Sequence, residues 1–160
     1  MIKKNTKLRL AILAIGTMSI MFTSCGEDEI FGCTDPIADN YDELADMTDG
    51  SCQYSGEIVF WYNQATAQAL ILDNATALTY YVDGEIVGSS AASVYWTGAP
   101  NCGQAASVTV KRDLGNAKNL SYSYSVIDDT GWEYWDGIAN FTANTCVDIQ
   151  LSASKVRLQK

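Results

Sequence analysis

Between residues 57 and 152 apolar and polar side chains exchange places with a period of two, the pattern of strands that bury one face. The cleanest run sets Leu120, Tyr122, Tyr124 and Val126 against Ser121, Ser123 and Ser125, because successive strand side chains point to opposite faces. Residues 57–62 set Ile58, Phe60 and Tyr62 against Val59 and Trp61. Residues 78–82 and 85–89 flank Asp83-Gly84, a pair suited to the two positive-φ positions of a tight hairpin. Shorter runs at 93–97, 107–112, 132–135, 138–142 and 146–151 bring the expected total to about eight strands. Turn-forming clusters at 98–101, 113–116, 128–131 and 136–137 separate them. Only residues 63–73 differ, with Ala, Gln and Leu in place of β-branched side chains, and they predict one short helix. The expected fold is mainly β: an antiparallel β-sandwich of immunoglobulin-like size over 57–152, followed by a frayed basic tail over 153–160.

The N-terminus follows another pattern. Lys3, Lys4, Lys7 and Arg9 precede an uncharged stretch whose apolar part runs from Leu10 to Phe22. A membrane-spanning helix needs about 20 apolar residues, so this stretch reads as the h-region of an export signal. It ends in Thr23-Ser24-Cys25, which resembles a bacterial lipobox with Phe22 where Leu is usual. The resemblance implies removal of residues 1–24, acylation of the Cys25 thiol, and membrane attachment through the N-terminal lipid. Glu27-Asp28-Glu29 opens an acidic tether over 25–32. Similar acidic tags accompany export to the outer face of the outer membrane in Bacteroidetes, and a solvated linker is the other reading.

Charge narrows the range of partners. Loss of residues 1–24 takes four of the ten Lys and Arg and none of the nineteen acids, leaving a net charge of −13. No basic side chain occurs between Arg9 and Lys111, so nothing there neutralises phosphates and nucleic acid is not an expected partner. Histidine is absent, which removes Ser-His-Asp and Cys-His nucleophile systems and His-ligated metals. Asp128, Asp129, Glu133 and Asp136 lack the cleft that a pair of catalytic carboxylates requires. No catalytic residue is assigned, and no enzymatic activity is expected.

With Cys25 acylated, Cys33, Cys52, Cys102 and Cys146 remain. Four cysteines allow three connectivities; pairing within compositional segments points to Cys33–Cys52 and Cys102–Cys146. CxxC spacing, which zinc would favour, is missing. Residues 33–54 have only Ile37, Tyr41, Leu44, Ala45 and Met47 to bury, too few without a covalent staple. Asp35, Asp39, Asp42, Asp46 and Asp49 are candidate calcium ligands, since calcium takes hard oxygen donors. The Asp-x-Asp-x-Asp-Gly order of an EF-hand loop is absent, and the same aspartates serve equally as turn formers and caps. No other cofactor is expected.

From Gly32-Cys33-Thr34-Asp35-Pro36 through Asn40-Tyr41 to Asp49-Gly50-Ser51-Cys52-Gln53-Tyr54, the segment resembles a repeat, GCTDPxAxNY…DDGSCxY, of secreted and surface proteins of Bacteroidetes. Tyr81-Val82-Asp83-Gly84, Pro100-Asn101-Cys102-Gly103 and Cys146 are similar to small β-sandwich modules of lipoproteins from that group, loosely like carboxypeptidase-regulatory or PEGA-type domains. The resemblance implies an accessory or binding module without catalytic residues.

A ligand-binding edge is expected at Trp132, Glu133, Tyr134, Trp135 and Asp136, with rings to stack on sugars and carboxylates to accept hydroxyl hydrogens. Alternation would put Trp132 and Tyr134 on one face and Glu133 and Trp135 on the other, and core packing is the competing reading. The functional expectation is a noncatalytic, lipid-anchored outer-membrane protein facing the exterior, whose sandwich binds a protein or polysaccharide partner. A structural accessory of an envelope complex is the alternative.

Overall fold

The computed structural model describes residues 28–156; the expected export signal over 1–24 and the expected acylation site, Cys25, lie outside them. Two β-sheets face each other across a shared core. One has the strand order β6-β3-β9 and the other β5-β4-β7-β8. The strands are β3 (Tyr54–Trp61), β4 (Ala77–Val82), β5 (Glu85–Ala91), β6 (Val108–Gly115), β7 (Asn119–Asp128), β8 (Glu133–Thr142) and β9 (Cys146–Gln150). A helix, α1 (Gln64–Leu72), links β3 to β4. Ahead of the sandwich lies a small module containing β1 (Phe31–Gly32) and β2 (Met47–Thr48), paired in parallel.

The alternation read from sequence is what fills the core. Ile58 and Phe60 of β3 are buried, as are Leu78, Tyr80 and Val82 of β4 and Val126 of β7. Phe60 bridges the two sheets, its ring 5.4 Å from Tyr80 and 5.3 Å from Tyr124. Asp83 and Gly84 both take positive φ, 56° and 76°, and close the β4–β5 hairpin as their sequence requires. Asn63 caps α1, its side-chain oxygen accepting from the Thr66 backbone N–H. The buried Thr66 hydroxyl donates to the Leu151 carbonyl at the end of β9, which ties the helix across the end of the sandwich. Both disulfides join the expected partners, Cys33 to Cys52 and Cys102 to Cys146.

Four details depart from expectation. Residues 93–97 form no strand; they turn away after β5 and rejoin the sheets through one bond, Trp96 N–H to the Tyr62 carbonyl. The runs at 132–135 and 138–142 are a single strand, β8, so Asp136-Gly137 lies within it opposite Ser125 and Tyr124 rather than in a turn. The pairing of β3 with β9 is parallel, because residues 143–145 carry the chain from one sheet to the other and set β9 running alongside the first strand. The tail docks over 153–156: Ala153–Lys155 form one 3-10 turn, and Val156 packs against the core.

The topology gives the molecule two ends. At one, β3 begins, β6 turns into β7 and β8 turns into β9, and the module sits there, with Asp35 bridging to Lys118 at 2.6 Å. At the other lie α1, the β7–β8 turn and the end of β9. The ten residues of β8 separate the ends by about 33 Å at ~3.3 Å per residue.

Candidate functional site

The expected ligand edge at residues 132–136 is not assembled. Val126 pairs with Trp135 but Ile127 pairs with Glu133, leaving Tyr134 as an extra residue in β8. Such a bulge breaks the two-residue alternation, so Tyr134 and Trp135 both turn inward, 5% and 1% exposed. Trp135 lies nearly parallel to Tyr62 with ring centres 6.5 Å apart, and its indole N–H donates to the Ser152 carbonyl. The Tyr134 hydroxyl donates to Asp73 Oδ2 at 2.6 Å. Burial, and then the bond to Asp73, push the Tyr134 phenol well above its usual range, so it stays a protonated donor. Trp132, Glu133 and Asp136 face solvent, and of the three aromatic rings only Trp132, 40% exposed, is open to a ligand.

The neighbouring carboxylates hold the turn together. Asp128 Oδ1 accepts from the Thr130 N–H, the Thr130 hydroxyl and the Trp132 N–H. Asp129 accepts from the Thr76 backbone and hydroxyl, which lower its pKa from the usual 3.8 to about 2. These contacts bring the β7–β8 turn against the segment following α1. That end exposes Ile71, Leu72 and Trp132 with Asp129 and Glu133 close in sequence to Trp132.

Three of the five candidate calcium ligands, Asp35, Asp42 and Asp49, are engaged within the protein. Asp35 Oδ2 is taken by Lys118 and the Tyr54 hydroxyl, and its Oδ1 accepts from the Ile37 N–H. The Lys118 bond is the largest of the causes that lower the Asp35 pKa from 3.8 to about 2. Asp42 and Asp49 each accept from the backbone N–H two residues ahead, at Leu44 and Ser51, as turn aspartates do. Asp39 and Asp46 face solvent. Among the described residues no group of three or more His, Cys, Asp or Glu side chains is placed to hold a metal ion.

What sequence reasoning missed is the module's outer surface. Ile37, Tyr41, Leu44 and Met47, expected to form a small core, are exposed, and so are Ile30 and Phe31. Among the described residues, half of the exposed large apolar side chains therefore fall within residues 30–47. The module buries Cys33 and Ala38 instead, which join the main core together with Tyr54. Phe31 is paired with Met47 in the β1–β2 ladder, so the two side chains stand on one face. Tyr41, Asp42, Glu43 and Leu44 line a shallow depression of the same module. The signal was present in the interleaving of Tyr41, Leu44 and Met47 with Asp42, Glu43 and Asp46, which leaves no continuous apolar face to turn inward. Where module meets sandwich, a polar groove of about 350 Å³ is lined by Asp39, Glu57, Lys111, Asn144 and Thr145 among others.

No family model, curated protein or solved structure matches the chain.

Proposed function

We propose that the chain is a noncatalytic, lipid-anchored protein of the outer membrane, facing the exterior, whose sandwich binds a protein partner at the end away from its anchor. The observation that carries this reading is the exposure of Ile71, Leu72 and Trp132 at the α1 end, while the chain from Cys25 enters the module at the other end. Apolar side chains beside carboxylates suit a protein surface with an apolar centre and a basic rim. A polysaccharide is a poorer fit, since burial of Tyr134 and Trp135 leaves one ring where a stacking platform was expected. The lipobox-like Thr23-Ser24-Cys25, the acidic tether and the likeness of residues 33–54 to a Bacteroidetes surface repeat support the location. A chain with no histidine supports the absence of catalysis.

A photo-reactive amino acid at Leu72 or Trp132 in living cells tests the proposal, with the same label at exposed Ile86 as control. The expected result is one defined protein adduct from positions 72 and 132 and none from 86. Equal adducts at all three positions, or a glycan-array signal that disappears with Trp132→Ala, would count against a protein partner.

A further inference from the structure

The module exposes six large apolar side chains at the place where the chain arrives from Cys25. Phe31 is 59% and Leu44 68% exposed, more than a soluble domain needs to leave open in so short a segment. The five Cα-to-Cα steps from Cys25 to Ile30 reach at most about 18 Å when fully extended. The polar layer on each side of a bilayer's hydrocarbon is itself ~5–8 Å deep. An acyl chain on Cys25 therefore holds the module at the membrane surface, within a few residues' reach of the headgroups. The sandwich is bound to the module through Asp35–Lys118 and the Tyr54 strand.

We infer that the Phe31/Met47 pair, with the exposed Tyr41 and Leu44 of the same module, rests in the headgroup layer of a zwitterionic aminophospholipid surface, making the module a membrane-facing foot. This deepens the reading above and rests on acylation of Cys25. The charge pattern selects the lipid. Asp42 and Glu43 line the depression together with Tyr41 and Leu44, Asp46 directly precedes Met47, and no Lys or Arg occurs anywhere from 25 to 54. An anionic surface repels these acids, whereas the ammonium groups of phosphatidylethanolamine meet their carboxylates. Shallow insertion of aromatic and aliphatic side chains supplies the attraction. Phe and Tyr are suited to that depth, being apolar along the ring, with a polar tip on Tyr.

Flotation of the mature chain carrying Cys25→Ser, which has no acyl chain, tests the face by itself. Vesicles of phosphatidylethanolamine and phosphatidylcholine are expected to carry it upward in a density gradient. Phe31→Ser with Met47→Ser should lower the partition coefficient at least tenfold, Ile86→Ser should leave it unchanged, and phosphatidylglycerol vesicles should bind less. Both altered side chains are exposed, so the far-UV circular dichroism of the variant should match its parent; Leu44→Ser is the second variant should it not. The inference is overturned by absence of flotation, by flotation indifferent to these substitutions, or by a preference for phosphatidylglycerol. It is equally overturned by a concentration-dependent dimer that Phe31→Ser and Met47→Ser dissolve, which would assign the face to a second copy. Palmitate labelling of the unaltered chain separates the two readings: an unlabelled chain whose Cys25→Ser form still floats would remove the anchor and leave the face.

Discussion

Trp135→Ala separates the two roles the sequence allowed for this residue. The side chain is 1% exposed, lies parallel to Tyr62, touches Tyr134 at 5.5 Å between ring centres, and donates to Ser152. Removing a buried tryptophan costs about 3–5 kcal/mol in transfer and cavity energy. The lost hydrogen bond, about 0.5–1.5 kcal/mol, places this site toward the upper end, near 4–5 kcal/mol. A domain's whole stability is about 5–15 kcal/mol, so the variant retains a small margin or none. At ~3–5 °C per kcal/mol for a chain of this size, its Tm should fall by about 12–25 °C. Urea unfolding followed by far-UV circular dichroism measures the loss without relying on tryptophan fluorescence. Trp132→Ala, removing a side chain half in solvent, should cost under about 1 kcal/mol. If Trp135→Ala stayed within 1 kcal/mol of its parent at an unchanged m-value, the bulge that turns residue 135 inward would be refuted.

Four further outcomes follow from the same structure. Gly56→Ala would put a Cβ 2.7 Å from the Thr142 carbonyl oxygen, and the overpacking should cost about 1–3 kcal/mol in the urea midpoint. Asp35 and Asp129 have folded pKa values near 2 against the usual 3.8, so between those values the unfolded chain binds more protons than the folded one. Their stabilisation is present above that window and is lost as pH falls through it; a urea midpoint followed from pH 6 to pH 2 should fall, and Asp129→Asn should flatten the fall. Replacing Cys102 and Cys146 by Ser opens a loop of sequence separation 44, worth roughly 4 kcal/mol on the chain-entropy model, readable as a lowered melting temperature. Calcium or a chelator should leave the calorimetric Tm within about 1 °C, since a ligand stabilises only through binding to the native state, and a rise of several degrees would restore the aspartate site.

Legibility in the sequence followed the range of the interactions involved. The serine-alternating run of β7 and the Asp83-Gly84 hairpin are set by neighbours in the chain, and both were readable. The disulfides followed from segment composition, and the helix at Gln64–Leu72 from its richness in Ala, Gln and Leu. The bulge at Tyr134 was not readable, because one extra residue in β8 is defined only against its partner strand β7. Asp136-Gly137 has turn chemistry locally, yet the ladder with Ser125 and Tyr124 overrides it. The parallel β3–β9 pair joins the first and last strands of the sandwich, a contact no local pattern encodes. In the module, apolar residues were assigned to an interior that 22 residues and one disulfide cannot enclose. Cys33 and Ala38 were instead absorbed into the neighbouring core, leaving Phe31, Leu44 and Met47 outside.

Acylation of Cys25 is the premise of the proposed location. Mass spectrometry of the N-terminal peptide from membranes of the native host tests it directly. The expected product is a mature chain that begins at Cys25 and carries fatty-acyl mass on that residue, with the acylated species lost in Cys25→Ser. A mature chain beginning at another residue, or beginning at Cys25 with an unmodified thiol, would contradict it.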